Sequence, residues 1–169
     1  MKYFNGFCLQ NEEALFEPYL IQSDFTVAGF SYGAIKAVQY AFTCKTRIDT
    51  LQLFSPAFFE DKDAKFKKLQ TLSFAKNSDA YTQNFMQNCI YPSTLDLQPF
   101  FHKGSSEELH ELLHYTWDES CLHTLKERGI TIEVYVGECD TIINSLHVKD
   151  FFVKFATVYY FKKVGHCLC

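Results

Sequence analysis

A chain of 169 residues, 47% hydrophobic and 21% charged, reads as one globular domain and excludes disordered or fibrous material. A formal net charge of −4 with no dominant basic face argues against a nucleic-acid partner, and no apolar run approaches membrane-spanning length. The seven cysteines, without a C-x-x-C pair, and a start at Met1 lacking a signal-peptide pattern are the marks of reduced thiols in a cytoplasmic protein.

Residues 1–6 form a short predicted strand. A turn at Asn5-Gly6-Phe7 leads to a predicted helix over 11–20, with Glu12 and Glu13 in its acid-favouring first turn. An apolar run at 25–30 is a buried strand, and Ala, Ile, Val and Tyr at helical spacing carry a helix to about Thr43. Residues 49–56 make the next strand, closed by Pro56. Over 57–128 charge rises, strand signals vanish and three to five amphipathic helices are expected, broken at Pro92, Pro99 and Gly104. Strands return at 130–136 and 157–161, with a short helix at 145–154 between them. Alternation of this kind predicts an α/β protein with a mainly parallel sheet of about five strands. The helical block then folds as a lid over the C-terminal strand ends, where such sheets place their sites.

The stretch that carries chemistry is Gly29-Phe30-Ser31-Tyr32-Gly33, a G-x-S-x-G between a strand and a helix. In that setting the serine stands on a strained turn at the top of the sheet, and glycines are needed because bulk would collide across the turn. An ordinary Gly-Ser turn has the same letters, so the partners decide. A nucleophilic serine needs a histidine base and a carboxylate that fixes the base's tautomer, in the chain order Ser, Asp or Glu, His. Asp140 follows the 130–136 strand and His166 follows the 157–161 strand, in the right order and at the right sheet edge. Alone, Asp140 reads as a turn aspartate and His166 as a surface histidine; together with Ser31 they read as a triad. Glu138 is the reserve acid. The oxyanion donors expected are the backbone N–H groups of Tyr32 and of Phe7, with Cys8 as the alternative if the register slips.

These motifs resemble those of the α/β-hydrolases. Asn5-Gly6-Phe7-Cys8-Leu9 is similar to the His-Gly-Trp-Gly oxyanion loop of that family's pimeloyl-acyl-carrier-protein methyl ester esterases, with Asn5 where histidine is usual. Lacking the early strands, the chain resembles the shortened BioV-type esterases of biotin synthesis. The resemblance implies hydrolysis of the methyl ester of pimeloyl-acyl-carrier protein, with no metal or organic cofactor. Lys62, Lys65, Lys67 and Lys68, clustered in the first helix of the block, are then candidates for docking the acidic carrier; interleaved with Glu60, Asp61 and Asp63, they equally suit a solvated face.

A rival signal is His110-Glu111-Leu-Leu-His114, the H-E-x-x-H of zinc peptidases. Trp117 and Ser120 stand where the longer metzincin form has Gly and His, and Leu109, Leu112, Leu113 and Trp117 make a seating stripe, so a solvated helix face is expected. Cys167 beside His166 is expected to pack. Helices joining successive parallel strands would lie on one face of the sheet, so the other face needs cover from the helical block, the termini or a second copy in a homodimer.

Overall fold

Short strands that must all run one way need a return crossing between each pair, and the helical patterns supply it. The computed structural model, which describes residues 1–169, has strands β1 (Lys2–Phe4), β2 (Thr26–Phe30), β3 (Thr50–Phe54), β4 (Thr131–Gly137) and β5 (Thr157–Phe161). They form one sheet in the order β1-β2-β3-β4-β5, parallel throughout. Helix α1 (Tyr32–Thr43) follows β2, and α6 (Ser145–Phe152) joins β4 to β5. Between β3 and β4 stand α2 (Ala64–Lys76), α3 (Ser78–Ile90), α4 (Ser106–His114) and α5 (Glu119–Glu127). The α/β class and five parallel strands are as the sequence predicts.

Side chains alternate across each strand, so the sheet builds two cores. Val27, Leu51, Leu53, Ile132, Val134 and Val136 enter one core with Ile35 and Val38 of α1, Leu122 and Leu125 of α5, and Val148 and Phe152 of α6. Most of these are almost fully buried, worth about 1.5–3 kcal/mol for each large side chain. On the other face, register aligns Phe30, Phe54, Tyr135 and Tyr159 in one row. Phe54 stacks on Tyr135 at 4.7 Å between ring centres, and Tyr135 on Tyr159 at 4.8 Å.

The chain itself covers that second face. Phe16, whose ring stacks on Phe54 at 4.6 Å, and Leu20 pack there with Met86 and Cys89 of α3 and with Cys167 and Leu168. Of the covers the sequence allowed for that face, the termini and the helical block both contribute, through the N-terminal segment, α3 and the C-terminal residues.

The helix expected over 11–20 is a correction. Only one 3-10 turn forms, Glu12–Phe16. Asn11 is left-handed at φ 57°, its N–H donates to the Asn5 side chain at 3.2 Å, and Pro18 has no N–H to continue a helix. Glu12, expected as an acid in the first turn of that helix, is fully buried. The segment acts as a plug, with its apolar side chains drawn onto the sheet.

Candidate active site

The elbow forms because β2 ends directly against the start of α1. Ser31 sits between them at φ 53°, ψ −112°, a conformation that costs a non-glycine residue on the order of 1–3 kcal/mol. Its backbone is held from both sides: Ser31 N–H donates to the Phe54 carbonyl at 2.8 Å, and Ala57 N–H donates to the Ser31 carbonyl at 3.1 Å. The glycines are required by close approach. A Cβ on Gly29 would lie 2.2 Å from the Gly33 carbonyl oxygen, and one on Gly33 would lie 1.9 Å from the Phe4 carbonyl oxygen. That second contact seats the loop after β1 against the first turn of α1.

Ser31, His166 and Asp140 meet. Ser31 Oγ lies 2.9 Å from His166 Nε2, and His166 Nδ1 lies 2.6 Å from Asp140 Oδ2. Asp140 Oδ1 accepts the N–H groups of Ile142 at 2.8 Å and Ile143 at 3.0 Å, which aims the other oxygen at the ring. Because an ionised carboxylate only accepts, Nδ1 carries the imidazole proton and Nε2 is left to accept from the serine hydroxyl. The histidine is fully buried, and its ring lies 5.0 Å from that of Phe30. Its main chain is fixed as well: Ser55 Oγ donates to the His166 carbonyl at 2.7 Å, and Cys167 N–H donates to the Cys89 carbonyl at 3.2 Å.

The loop after β1 passes the end of β2: a Cβ on Gly6 would lie 2.7 Å from the Phe30 ring and 3.4 Å from the Phe30 carbonyl oxygen. Gly6 carbonyl accepts from Leu9 N–H at 3.2 Å, which fixes the plane of the Gly6–Phe7 peptide, and the Phe7 N–H of that peptide donates to no protein acceptor. Tyr32 N–H opens α1 and has no intrahelical acceptor by position. Residues beyond α3 hold this loop from outside, with Gln10 N–H on the Phe100 carbonyl at 2.8 Å and His102 N–H on the Cys8 carbonyl at 3.0 Å. Cys8, the alternative donor, is left-handed at φ 59° and buried.

No family model and no curated protein matches the chain by sequence. Solved structures do match by shape. The esterase EaEST from Exiguobacterium antarcticum is 17% identical with a TM-score of 0.63, over 91% of this chain and 63% of that one. MenH from S. aureus is 13% identical with a TM-score of 0.61, over 97% and 85%. A carboxylesterase structure from Nitrososphaera gargenis is 16% identical with a TM-score of 0.58, over 83% and 57%. The fold is a shortened α/β-hydrolase fold. The chain spans less than two thirds of the length of the two esterases.

In this α/β-hydrolase frame a cavity of about 370 Å³ opens between α2, α3 and α4, lined also by Phe7 of the loop after β1 and by Thr141 and Ile142, which follow Asp140 in the chain. Its walls are aromatic and aliphatic with a few amides and hydroxyls, among them Asn84 and Asn88, and no charged side chain lines it. Of the clustered lysines, Lys62 pairs with Asp61 at 3.1 Å and borders a second, more open cleft that includes Asp140. Lys65 and Lys68 are exposed on α2 and Lys67 is half-buried. The α2 sequence carries no acidic residue, so its charge is basic on an acidic protein.

The H-E-x-x-H stretch occupies α4, but its glutamate is engaged elsewhere. Glu111 accepts from Tyr32 Oη at 2.6 Å and from Lys36 Nζ at 2.6 and 2.7 Å. Burial alone would raise its carboxyl, yet the Lys36 and Tyr32 hydrogen bonds outweigh it and hold the group below the usual range. The Tyr32 phenol is pushed up to about 12, by burial first and then by Glu111. His110 and His114 face each other with ring centres 4.3 Å apart, and no group of three or more His, Cys, Asp or Glu side chains converges in metal-holding geometry. Cys167 is buried, and burial pushes its thiol well up, with the Cys169, Asp140 and Glu12 charges adding, so it packs rather than attacks.

Proposed function

We propose that this chain is a serine carboxylester hydrolase, and that its substrate is the methyl ester of pimeloyl-acyl-carrier protein. The observation that carries the reaction class is the unbroken line of hydrogen-bond contacts from Ser31 Oγ through His166 to Asp140, set at the C-terminal edge of a parallel sheet.

In this reading His166 Nε2 takes the Ser31 hydroxyl proton as Oγ attacks the ester carbonyl carbon. Asp140 stabilises the imidazolium. The Tyr32 and Phe7 N–H groups hold the tetrahedral oxyanion, in a buried site where such donors are worth more than in water. The intermediate expels methoxide, which leaves as methanol with the proton from His166. Water then loses a proton to the same nitrogen, attacks the acyl-enzyme and frees the carboxylic acid and Ser31. The chain's own groups account for every proton.

Support for the substrate is of three kinds. The motif resemblance points to methyl ester esterases of a carrier-bound dicarboxylic acyl chain. The cavity lined by Phe7, Thr141 and Ile142 has uncharged, largely apolar walls, which suit an acyl chain and would desolvate a free carboxylate at a cost nothing repays. Helix α2, which supplies Phe66, Gln70 and Ser73 to that cavity, carries Lys65, Lys67 and Lys68 and no acidic residue, positive charge suited to an acidic carrier.

The test is turnover of methyl pimeloyl-acyl-carrier protein and of p-nitrophenyl esters by wild type and Ser31→Ala. Loss of both activities in the variant supports the whole reading. Wild-type activity on nitrophenyl esters alone retains the esterase and removes the carrier substrate, leaving an enzyme of broader ester or thioester range.

A further inference from the structure

The loop after β1 is clasped by a buried acid that the reaction above does not use. Glu12 is fully buried, its Oε1 accepts the Gly6 N–H at 2.6 Å, and Tyr3 Oη donates to the same oxygen at 3.4 Å. The clasp is reciprocal, because the Asn5 side chain in turn accepts the Asn11 N–H at 3.2 Å. Glu12 Oε2 is the one buried side-chain oxygen or nitrogen in the chain with no hydrogen-bond partner. A buried carboxyl with an unpartnered oxygen is costly, and the fold has kept it one peptide away from the Phe7 N–H.

We propose that Glu12 is a positioning residue for the oxyanion site: by holding the Gly6 N–H it sets the orientation of the Gly6–Phe7 peptide, and so aims the Phe7 N–H at the developing oxyanion. The inference rests on the esterase reading of Ser31. Two hydrogen bonds fix the Gly6 backbone, Glu12 on its N–H and Leu9 N–H on its carbonyl, and the trans peptide then points Phe7 N–H the opposite way. A side chain at Gly6 would lie 2.7 Å from the Phe30 ring, so the loop passes close against the end of β2.

The charge of Glu12 matters as well as its reach. An ionised carboxylate next to the loop opposes the negative charge that builds in the transition state, whereas the neutral acid holds the loop without that penalty. Burial raises the Glu12 carboxyl to about 7, offset in part by the Gly6 hydrogen bond. The titratable groups that face it are Tyr3 from β1, Glu13 from its own turn and Cys167 from the C-terminal residues. The first and last have their own titrations pushed well up by burial, so at neutral pH they stay uncharged. Turnover should therefore fall as pH rises through about 7, a limb that His166 acting as base cannot produce because its own requirement runs the other way.

The experiment measures kcat and KM for p-nitrophenyl butyrate from pH 5 to 9 in wild type, Glu12→Gln, Glu12→Ala and Ser31→Ala, with circular dichroism for folding and fluorophosphonate labelling of Ser31. Expected are a kcat about tenfold lower in Glu12→Ala with KM little changed, recovery of most of that loss in Glu12→Gln, and disappearance of the alkaline limb in Glu12→Gln. A folded Glu12→Ala with wild-type kcat, or an alkaline limb that persists in Glu12→Gln, overturns the proposal. Should Glu12→Ala not fold, the pH profile of Glu12→Gln decides alone. Failure of the esterase reading has a separate signature: Ser31→Ala stays active, or Ser31 takes no label.

Discussion

Ser55 Oγ, at the end of β3, donates a 2.7 Å hydrogen bond to the backbone carbonyl of His166, a residue 111 positions later in the chain. Both residues are fully buried, and Ser55 holds a left-handed backbone, φ 40°, to make the contact. His166 is therefore fixed at three points: its ring by Asp140, its carbonyl by Ser55, and the next N–H by Cys89. Ser55→Ala leaves a buried carbonyl without its partner. The expected loss is about 1–3 kcal/mol of stability, with a lower kcat and an unchanged KM. Urea midpoints and steady-state kinetics on one ester measure both. A variant as stable and as active as wild type would mean that Asp140 alone positions the ring.

Glu12 also predicts a pH dependence of stability, readable without any substrate. Its carboxyl titrates near 4.5 when unfolded and at about 7 when folded. Between these values the folded chain holds a proton that the unfolded chain has lost, so stability contributed by this group is full below 4.5 and falls as pH rises through about 7. The size is on the order of 3 kcal/mol for a group so deeply placed. Unfolding by urea at pH 4.5 and pH 8 should show this fall in wild type and a smaller one in Glu12→Gln. An equal fall in both would remove Glu12 as its source.

Much of the site was legible because strands and turns leave local marks. G-x-S-x-G after an apolar run, and Asp140 and His166 each after a strand, need no long-range knowledge beyond the rule that parallel strands end on one edge. The supporting residues carry no such mark. Glu12 looks like a helix-start acid until Asn11 turns left-handed and Pro18 stops the helix; its partner Gly6 is found only in three dimensions. Glu111, within H-E-x-x-H, reads as part of a solvated helix face, and only the packing of α4 beside α1 reveals Tyr32 and Lys36 as its partners. Gln52 sits mid-strand in the sheet, buried, and hydrogen-bonds the Ile21 N–H, the Tyr19 carbonyl and the Glu133 side chain, a set that no spacing encodes. Side chains that act through tertiary partners are hidden from a pattern, whereas residues that act at element ends are not.

The Tyr32–Glu111–Lys36 cluster ties α4 to the elbow helix. The Lys36 and Glu111 side chains are roughly a third exposed, so their ion pair contributes little to stability, about 1 kcal/mol or less. The larger effect of Glu111→Gln is expected on KM for long-chain esters, since Leu109, Leu112 and Leu113 of the same helix line the cavity. Short esters should be little affected, and His110→Ala should match wild type on both. Loss of activity in His110→Ala together with sensitivity of the wild type to chelators would revive the metal reading.

Gly33 offers the sharpest test of how the loop after β1 is seated. An alanine Cβ there would lie 1.9 Å from the Phe4 carbonyl oxygen and 2.6 Å from that of Asn5, both main-chain atoms that cannot rotate away. Either α1 or the loop after β1 must shift, which separates the Tyr32 N–H from the Phe7 N–H. Removing one oxyanion donor from such a site costs about a hundredfold or more in kcat. Gly33→Ala should therefore lose activity by about that factor even where circular dichroism shows a folded chain. Gly129→Ala serves as control: that glycine is left-handed at φ 81° with open space around it, so its substitution strains the backbone by about 1 kcal/mol without reaching the site. If Gly33→Ala folds and turns over ester as fast as Gly129→Ala, the two N–H groups do not form a single oxyanion site, and the donor assigned to the loop after β1 has to be sought elsewhere.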